Sequence, residues 1–240
     1  MQVGFVCCDG TRRPYAECIQ HAGEHQCQWT AALLTAMAGN VREQKDHLTI
    51  TELLGCPRAT VWKKTRDYYE SPESGYAKWR GSLFHHLLDG VNSGALVEQR
   101  FFKTLPNGIL ISGQPDLVYP EQSLLLDYKT TKYLPKEPYA THALQLNAYR
   151  WLLWPRYKVF NLEVVYMDMT AVRRLPVALE ELEHIEQFLA IMAQVITGGL
   201  DGQLPERMDE NGRWQCNYCP FTADCWPEGV PRNVRAGAKG

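Results

Sequence analysis

The distribution of the eight cysteines constrains this chain more than any other feature of its sequence. Four of them lie within the first 27 residues, Cys56 stands alone, and the other three lie between residues 216 and 225, so the long middle segment contains none. In a reducing compartment, clusters of this kind hold metal ions more often than they form disulfides. We therefore expect metal ions to shape both ends of the chain, and a hydrophobic core to shape its middle.

Composition places the chain among ordinary folded proteins. Apolar residues make up 45% and charged residues 22% of its 240 residues, which is enough for a substantial core. The 25 basic and 27 acidic residues nearly balance, which argues against bulk attraction to nucleic acid but is compatible with a local basic groove. Because no apolar run approaches the ~18 residues that span a bilayer, and the N-terminus lacks a secretory pattern, we expect a cytoplasmic protein without membrane contact.

Hydrophobic periodicity predicts strands and helices along the middle of the chain. The predicted helices cover residues 29–38, 51–69, 80–92, 139–154 and 179–197, and the predicted strands cover 95–103, 108–119, 123–129 and 159–168. This order favours an α/β fold with a mixed central sheet flanked by helices. We divide the chain into a metal-binding element over 1–45, a main domain over 46–228 and a flexible tail over 229–240.

Two acidic residues and a lysine form the most informative constellation of the predicted sheet. Asp116 follows a Gly-x-Pro sequence late in one predicted strand, and Asp127 and Lys129 end the next strand. A hairpin would bring the two carboxylates together, and strand alternation puts Asp127 and Lys129 on one face. With the backbone carbonyl of Tyr128, the carboxylates suit an octahedral Mg²⁺ or Mn²⁺, and the ammonium suits charge stabilisation at a phosphate. Two turn aspartates beside a surface lysine would give the same pattern by chance.

Further motifs surround this constellation in a characteristic order. A Gly-x-x-x-His sequence ends at His85, Glu98 opens the first predicted strand, and Gln145 and Tyr149 share one face of the following helix. This order resembles that of the PD-(D/E)xK nuclease superfamily, in particular its RecB-like branch with iron–sulfur clusters. That branch includes CRISPR-associated adaptation exonucleases and related phage nucleases. The resemblance extends over roughly residues 49–226.

The resemblance implies a restriction-endonuclease-like core and a metal-dependent exonuclease that hydrolyses single-stranded or frayed DNA. It implies metal ligands at His85, Glu98, Asp116, Asp127 and the carbonyl of Tyr128, a catalytic lysine at Lys129, and residues that position DNA or the catalytic groups at Gln145 and Tyr149. His86 would replace His85 as the ligand if the helix register shifted by one residue. Alternatives are an endonuclease acting on branched DNA and a non-cleaving DNA-binding or assembly subunit.

The C-terminal cysteines provide a second candidate metal site. Cys216, Cys219 and Cys225 have the spacing C-x2-C-x5-C, and Cys56 brings the number of thiolates to four, which suits one [4Fe–4S] cluster or one zinc ion. The resemblance to iron–sulfur nucleases favours iron. Because one ligand comes from the start of the main domain and three from its end, we expect the cluster to staple the two ends together and to have a structural role.

The N-terminal cysteines provide a third candidate site. Cys8, Cys18, His21 and Cys27 are four potential zinc ligands in a segment too short to fold around a hydrophobic core of its own. Cys7 is a rival ligand for Cys8, and His25 is a rival for His21. The other interpretation is a set of reduced thiols in a flexible arm.

A basic and aromatic segment follows Cys56 and is a candidate DNA-binding surface. Its basic residues are Arg58, Lys63, Lys64 and Arg66, and they accompany three aromatic residues. This mixture suits single-stranded DNA, because phosphates contact cations while bases stack on rings, although a solvated helix face over buried rings has the same composition. Lys132 and Lys136 offer a second basic rim. Protein partners in a recombination, repair or CRISPR complex are compatible with these features, and the sequence leaves polarity and oligomeric state open.

Overall fold

The structure is a computed structural model that describes residues 1–24, 27–41, 44–88 and 94–231, without the side chains of residues 85–88. The chain divides into two compact units. The terminal unit combines residues 1–44, 56–76 and those from 196 onward, and the central unit combines residues 45–55 and 77–195. Within the described residues, no helix has both the length and the apolar character needed to cross a membrane.

Strands and helices are numbered along the chain. The strands are β1 (Gln2–Val6), β2 (Arg12–Pro14), β3 (Leu48–Thr49), β4 (Tyr68–Glu70), β5 (Leu96–Val97), β6 (Phe101–Thr104), β7 (Leu110–Gly113), β8 (Leu117–Tyr119), β9 (Leu124–Thr130), β10 (Asn161–Met167) and β11 (Val172–Val177). The α-helices are α1 (Tyr15–Glu24), α2 (Ala31–Gly39), α3 (Ile50–Leu53), α4 (Pro57–Thr65), α5 (Pro72–Leu88), α6 (Ala140–Leu153), α7 (Leu182–Leu200) and α8 (Thr222–Cys225). Short 3-10 helices cover Pro120–Gln122 and Arg213–Tyr218.

A mixed sheet forms the core of the central unit. Its strands lie in the order β11-β10-β9-β8-β5, with β9 and β10 parallel and the other neighbours antiparallel. Leucine and valine dominate β9 and β10, as in strands covered on both faces, and Leu125 and Val164 are fully buried. Helix α6 packs on both strands. The prediction of an α/β fold with a mixed sheet flanked by helices is therefore confirmed.

Helix α6 also packs on a second sheet of the central unit, whose strand order is β3-β7-β6. The buried residues of α6 include Tyr149 and Leu152. At the end of this helix, Lys103 on β6 donates hydrogen bonds of 2.9 Å to the carbonyl oxygens of both Trp151 and Trp154. The Trp151 carbonyl also accepts a long hydrogen bond of 3.3 Å from the N–H of Trp154, so the lysine supplements the capping of the helix end and anchors α6 to the second sheet.

The terminal unit contains a small sheet of order β2-β1-β4, in which β1 forms a hairpin with β2 and pairs in parallel with β4. The hairpin requires glycine at position 4, because a Cβ on Gly4 would lie 2.0 Å from the carbonyl oxygen of Arg13. Helix α1 packs on the hairpin and on α2. Helix α4 begins at Pro57, directly after Cys56 at its N-cap.

The helix predicted over residues 51–69 is wrong, because the structure has α3, α4 and β4 there. Gly55 lies between the two helices, and Pro57 lacks the N–H that a continuous helix would require. Pro72 occupies the first position of α5, where its fixed φ angle is favourable.

The single strand predicted over residues 108–119 is also wrong. Residues 114–116 separate β7 from β8, and the two strands belong to different sheets. Pro115 cannot donate to a sheet ladder, which accounts for the break. The sequence patterns missed β1, β2, α1 and β11. The last of these is an edge strand that contains Arg173, Arg174 and a proline and is mostly exposed, so it lacks an apolar run.

Candidate active site

Three acidic residues lie side by side across neighbouring strands of the mixed sheet. Leu117 of β8 pairs with Leu126 of β9 in an antiparallel register. Continuing this register by one residue puts Asp116 opposite Asp127. On the other side of β8, Glu98 follows β5 and donates its backbone N–H to the carbonyl oxygen of Asp116 at 2.9 Å. The strand register therefore brings three carboxylates from three separate segments to one level of the sheet.

Asp116 is held in place by the backbone of β9. Its Oδ2 accepts a hydrogen bond of 2.6 Å from the backbone N–H of Tyr128. Burial raises the pKa of the Asp116 carboxyl well above its ordinary range and Asp127 raises it further, while Lys129 and this N–H lower it. The Tyr128 side chain packs in an apolar cluster, so its backbone is the part that contacts the site. The two carboxylates repel each other unless they share a proton or a cation.

Asp127 and Lys129 form an ion pair on one face of β9. Lys129 Nζ lies 2.5 Å from Oδ2 of Asp127, whose side chain is 1% exposed. The buried oxygen is therefore partnered by the ammonium group. Burial alone lowers the pKa of Lys129, but Asp127 and Asp116 outweigh burial, so its pKa is raised overall. The lysine is therefore held as an ammonium ion beside the two carboxylates.

Helix α6 brings Gln145 and Tyr149 to the site. Gln145 Nε2 donates to the Tyr149 hydroxyl at 2.9 Å, and burial, with a contribution from Asp127, raises the pKa of Tyr149 to about 12. The helix approaches β7 closely at Gly113, where an added Cβ would lie 2.9 Å from the Tyr149 ring and 2.7 Å from Leu152. The glycine of the Gly-x-Pro-Asp sequence thus permits the approach of the helix.

His142 is a site neighbour that the sequence interpretation missed. Its Nδ1 lies 2.9 Å from the hydroxyl of Tyr166, which pairs with Lys129 across β9 and β10. That hydroxyl also accepts the backbone N–H of Tyr139, so its own proton is available for His142 Nδ1. Burial and then Lys129 lower the pKa of His142 to about 4, which makes the ring neutral at pH 7. Its position three residues before Gln145 was the available signal.

A polar network supports Glu98, whose φ angle of 44° is rare for a residue other than glycine. Glu98 Oε2 accepts from Gln114 Nε2 at 3.2 Å, and Gln114 Oε1 accepts from Arg100 at 2.6 Å. Arg100 also donates to the fully buried hydroxyl of Ser112, which lies 2.8 Å from His47 Nε2. The network fixes the loop on which Glu98 and Asp116 meet.

The His85 side chain lies outside the described residues, as does that of His86, so the structure does not place these predicted ligands. Helix α5 carries both histidines, and one helical turn before them it passes the end of β9. A Cβ added to Gly81 would lie 3.9 Å from Oγ1 of Thr130, the residue after Lys129.

The donor set of this site fits a hard divalent cation. Its oxygens come from Glu98, Asp116 and Asp127, and the Asp127 carboxylate is almost completely buried beside the Lys129 ammonium. Carboxylate oxygens are the ligands that Mg²⁺ and Mn²⁺ favour. Burial and mutual repulsion of the carboxylates make the binding of a cation between them favourable.

A comparison with protein families decides the affiliation. Residues 93–226, more than half of the chain, match the profile of the PD-(D/E)XK nuclease superfamily, and this span includes Glu98, Asp116, Asp127 and Lys129. The chain belongs to the PD-(D/E)XK nuclease superfamily. It is therefore a phosphodiester hydrolase of a superfamily whose members use divalent metal ions such as Mg²⁺ or Mn²⁺.

Solved structures resemble this PD-(D/E)XK chain at low sequence identity. The crystal structure of SSO0001 aligns with a TM-score of 0.60 and 18% identity over 83% of this chain and 95% of its own, which shows a shared fold. A phage related exonuclease from Haemophilus somnus 129PT aligns with a TM-score of 0.44 and 12% identity over 65% of this chain and 96% of its own. No curated protein matches the chain.

The four cysteines of the predicted iron–sulfur site come together in the terminal unit of this nuclease. Cys56 interacts electrostatically with Cys216 and Cys225, and Cys219 interacts with Cys56 and Cys216. Burial raises the pKa of both Cys56 and Cys219, and the neighbouring thiols add to this. Backbone N–H groups donate to the sulfurs of Cys56 and Cys219, and Arg58 Nη1 lies 3.8 Å from Cys225 Sγ.

The N-terminal cysteines also cluster, with Cys7 rather than Cys8 at the centre. Cys7 Sγ lies 3.1 Å from Cys18 Sγ and 3.4 Å from His21 Nδ1. Cys8 Sγ lies 3.9 Å from the same nitrogen. Cys27 contacts Cys8. His25, the rival of His21, lies outside the described residues.

The predicted DNA-binding residues surround a buried ring. The guanidinium groups of Arg58 and Arg66 lie 5.8 Å and 4.8 Å from the ring centroid of Trp62, which is 5% exposed. Lys63 and Lys64 are half-buried on α4. In this conformation the surface offers cations, but the Trp62 ring is covered and does not offer a stacking face to a base.

Proposed function

We propose that this chain is a metal-dependent deoxyribonuclease, and specifically an exonuclease that acts on single-stranded or frayed DNA. The observation that carries the proposal is the row of Glu98, Asp116 and Asp127, with the Lys129 ammonium paired to the buried carboxylate of Asp127. This arrangement matches the requirements of phosphodiester hydrolysis, which needs a cation-binding site beside a fixed positive charge. The exonuclease specificity rests on the resemblance of the motifs.

The acidic residues would hold the cation. We assign Asp116 and Asp127 as its direct ligands, with Glu98, His85 and the carbonyl of Tyr128 completing the set. Bound there, Mg²⁺ or Mn²⁺ would supply an acidified water and positive charge beside the phosphate. The hydrogen bond from the Tyr128 N–H holds one Asp116 oxygen at 2.6 Å and so fixes the direction of the other.

Lys129 would act on the phosphate. The two carboxylates keep it protonated, so it can donate to the oxygen that gains negative charge as the phosphorus–oxygen bond breaks. Gln145 and Tyr149, joined by their hydrogen bond, form a wall of α6 beside this group and would position the catalytic lysine or the DNA strand.

The substrate strand would approach over basic residues of the chain. We propose phosphate contacts for Arg58, Lys63, Lys64 and Arg66, supported by their charge and by the location of all four on or beside α4. Because the Trp62 ring is covered, these contacts would be electrostatic and independent of sequence, and their strength should fall with added salt.

We also propose that Cys56, Cys216, Cys219 and Cys225 hold a [4Fe–4S] cluster with a structural role. The convergence of the four thiols and the N–H donors to two of the sulfurs support it. Replacing Cys219 with alanine should abolish iron and sulfide binding and lower the yield of folded protein. A folded variant that keeps four iron atoms per chain would contradict the assignment.

Cleavage of labelled linear and circular single strands with Mg²⁺ or Mn²⁺ tests the main proposal. The wild-type chain should degrade linear strands and leave circles intact, since an exonuclease needs an end. Lys129→Ala should lower the cleavage rate by ~10²–10³-fold, the typical loss when one transition-state donor is removed. Lys158→Ala, which removes an exposed lysine of the same unit, is the matched control and should cleave normally.

Each failure has a distinct meaning. Cleavage of circles would indicate an endonuclease, and DNA binding without cleavage in either metal would indicate a non-cleaving subunit. Unchanged cleavage by Lys129→Ala would refute the role of the lysine. Mg²⁺ or Mn²⁺ should also raise the melting temperature of the wild-type chain but not that of Asp127→Asn, which tests the metal site without any assay of activity.

A further inference from the structure

A hairpin turn and a helix of the terminal unit bring four metal-binding side chains together, and Cys27, after the helix, adds a fifth. Cys7 and Cys8 lie in the turn between β1 and β2. The turn is closed by a hydrogen bond of 2.7 Å from the N–H of Cys7 to the carbonyl of Thr11, and by one of 2.8 Å from Gly10 to Cys7. Gly10 has a φ angle of 81°, which glycine adopts without strain. The two cysteines are therefore held on a closed turn.

Helix α1 follows the hairpin and carries two further donors. Cys18 and His21 are three residues apart and share one face of the helix. Cys7 Sγ lies 3.1 Å from the sulfur of Cys18 and 3.4 Å from Nδ1 of His21, and both cysteines are buried. Cys7 therefore contacts a donor of each kind on the helix, the thiol of Cys18 and the imidazole of His21.

The distances suit a tetrahedral zinc ion. With Zn–S bonds of about 2.3 Å and Zn–N bonds of about 2.0 Å, the sulfur atoms of such a site lie about 3.8 Å apart and sulfur and nitrogen lie about 3.5 Å apart. The 3.4 Å between Cys7 Sγ and His21 Nδ1 matches the sulfur–nitrogen value, and the 3.9 Å from Cys8 Sγ to the same nitrogen is somewhat longer. The 3.1 Å between the sulfurs of Cys7 and Cys18 is shorter than the sulfur–sulfur value, so a bound ion would hold these two sulfurs farther apart. Cys7, Cys8 and His21 also form a group whose ligand atoms all lie within 4.8 Å of one another.

Two thiols compete for the fourth position. Cys8 is exposed and lies 3.9 Å from His21 Nδ1, and it also interacts with Cys27. Cys27 is half-buried and also interacts electrostatically with Cys18. Zinc takes four ligands in structural sites, so five donors provide one more than the ion needs.

The second nitrogen of His21 has a partner of the kind that metal-binding histidines have. Its Nε2 lies 3.7 Å from Oδ2 of Asp9. Both oxygens of Asp9 are held by Arg13, at 2.6 and 2.8 Å. The 3.7 Å separation is an ion-pair distance rather than a hydrogen bond; a proton on Nε2, facing the carboxylate, would leave Nδ1, the nitrogen that faces the thiols, as a ligand.

We propose that Cys7, Cys18 and His21 bind a structural zinc ion, and that either Cys8 or Cys27 supplies the fourth ligand. Thiolate and imidazole donors together suit zinc better than Mg²⁺ or Mn²⁺. The ion would fix the hairpin to α1, and through β1 it would stabilise the β2-β1-β4 sheet. The proposal is independent of the nuclease assignment.

Metal analysis of the purified full-length chain tests the proposal. The single variants Cys7→Ser, Cys18→Ser and His21→Ala should each lose one equivalent of zinc relative to wild type, with iron and sulfide unchanged. Cys8→Ser and Cys27→Ser should each retain this zinc, because the other thiol takes the fourth position. The double variant with both serines should lose it. Glu17→Gln, which changes an exposed residue of α1 next to Cys18, is the control that should leave this zinc in place.

A non-ligand variant covers the case in which the ligand variants fail to fold. Asp9→Asn removes the charge behind His21 and should weaken zinc binding by about 10–100-fold in a chelator competition, with zinc still bound at low chelator concentration. Retention of zinc by Cys7→Ser, an unchanged affinity in Asp9→Asn, or a Cys7–Cys18 disulfide in the zinc-free wild-type chain would overturn the proposal. Complete loss of zinc from Cys8→Ser or Cys27→Ser alone would overturn the shared fourth position.

Discussion

Replacing Gly113 with alanine tests whether the close approach of α6 to β7 holds the site together. The added methyl group would lie 2.7 Å from Leu152, 2.9 Å from the ring of Tyr149 and 3.0 Å from Ile50. All three side chains are buried, at 5%, 4% and 0% exposure. None of them can move away into solvent, so the helix itself must shift outward.

The expected destabilisation follows from the number of close contacts that the added methyl group would make. Overpacking a filled core by one methyl group destabilises a protein by about 1–3 kcal/mol, and three contacts at or below 3.0 Å suggest the upper part of that range. For a domain of this size, each kcal/mol lowers the melting temperature by roughly 2–4 °C. We expect a decrease of roughly 4–12 °C. Because Tyr149 carries the hydrogen bond from Gln145, we also expect cleavage to fall by up to about 10²-fold.

Thermal unfolding followed by circular dichroism, together with the cleavage assay, measures both effects. The matched control is Gly81→Ala in the same unit, where the added Cβ has Thr130 Oγ1 at 3.9 Å as its nearest contact. Alanine in the interior of helix α5 should stabilise the chain by about 0.5–1 kcal/mol. If Gly113→Ala were as stable as wild type while Gly81→Ala was stabilised as expected, the close packing of α6 on β7 would be refuted as the constraint.

Two further predictions concern charges. Burial and Asp127 raise the pKa of Asp116, so the folded chain retains a proton that the unfolded chain releases. The metal-free chain should therefore lose stability as the pH rises from about 4 through the raised pKa of Asp116. Asp116→Asn should abolish this loss of stability. The midpoints of urea unfolding, measured in the presence of a chelator at pH 5 and pH 8, compare the variant with the wild-type chain. An identical pH dependence of stability in the two proteins would contradict the raised pKa of Asp116. Lys103→Met should cost about 3 kcal/mol in urea unfolding, because it removes charged hydrogen bonds to two helix-terminal carbonyls and the contact of the ammonium, at 4.1 Å, with the Trp151 ring. A loss below about 0.5 kcal/mol would show that water replaces the lysine.

Local sequence patterns were sufficient for the main elements of the central unit. The leucine and valine runs predicted β9 and β10, and the helical spacing of apolar residues predicted α6 and α7. These elements have strong local signals because their buried faces repeat at the period of the secondary structure. The pattern failed where proline and glycine divide a segment, as around Pro57 and Pro115, and in the exposed edge strand β11.

For the site, the order of the motifs along the chain was enough to indicate the superfamily, and alternation along β9 was enough to put Asp127 and Lys129 on one face. The sequence also indicated that Asp116 and Asp127 would be neighbours, and the structure places them side by side. It did not indicate that His142 lies near Lys129, because that proximity depends on how α6 crosses the sheet.

What the sequence determined by itself is therefore the set of reactive side chains, their order and their local faces, since these depend on residue type and on backbone periodicity. The tertiary structure alone decided the register that aligns Glu98, Asp116 and Asp127, the approach of α6 over Gly113, and the central position of Cys7 among the N-terminal thiols. These arrangements arise from contacts between segments far apart in the chain. Their energies come from pairing and packing, which a local pattern does not encode.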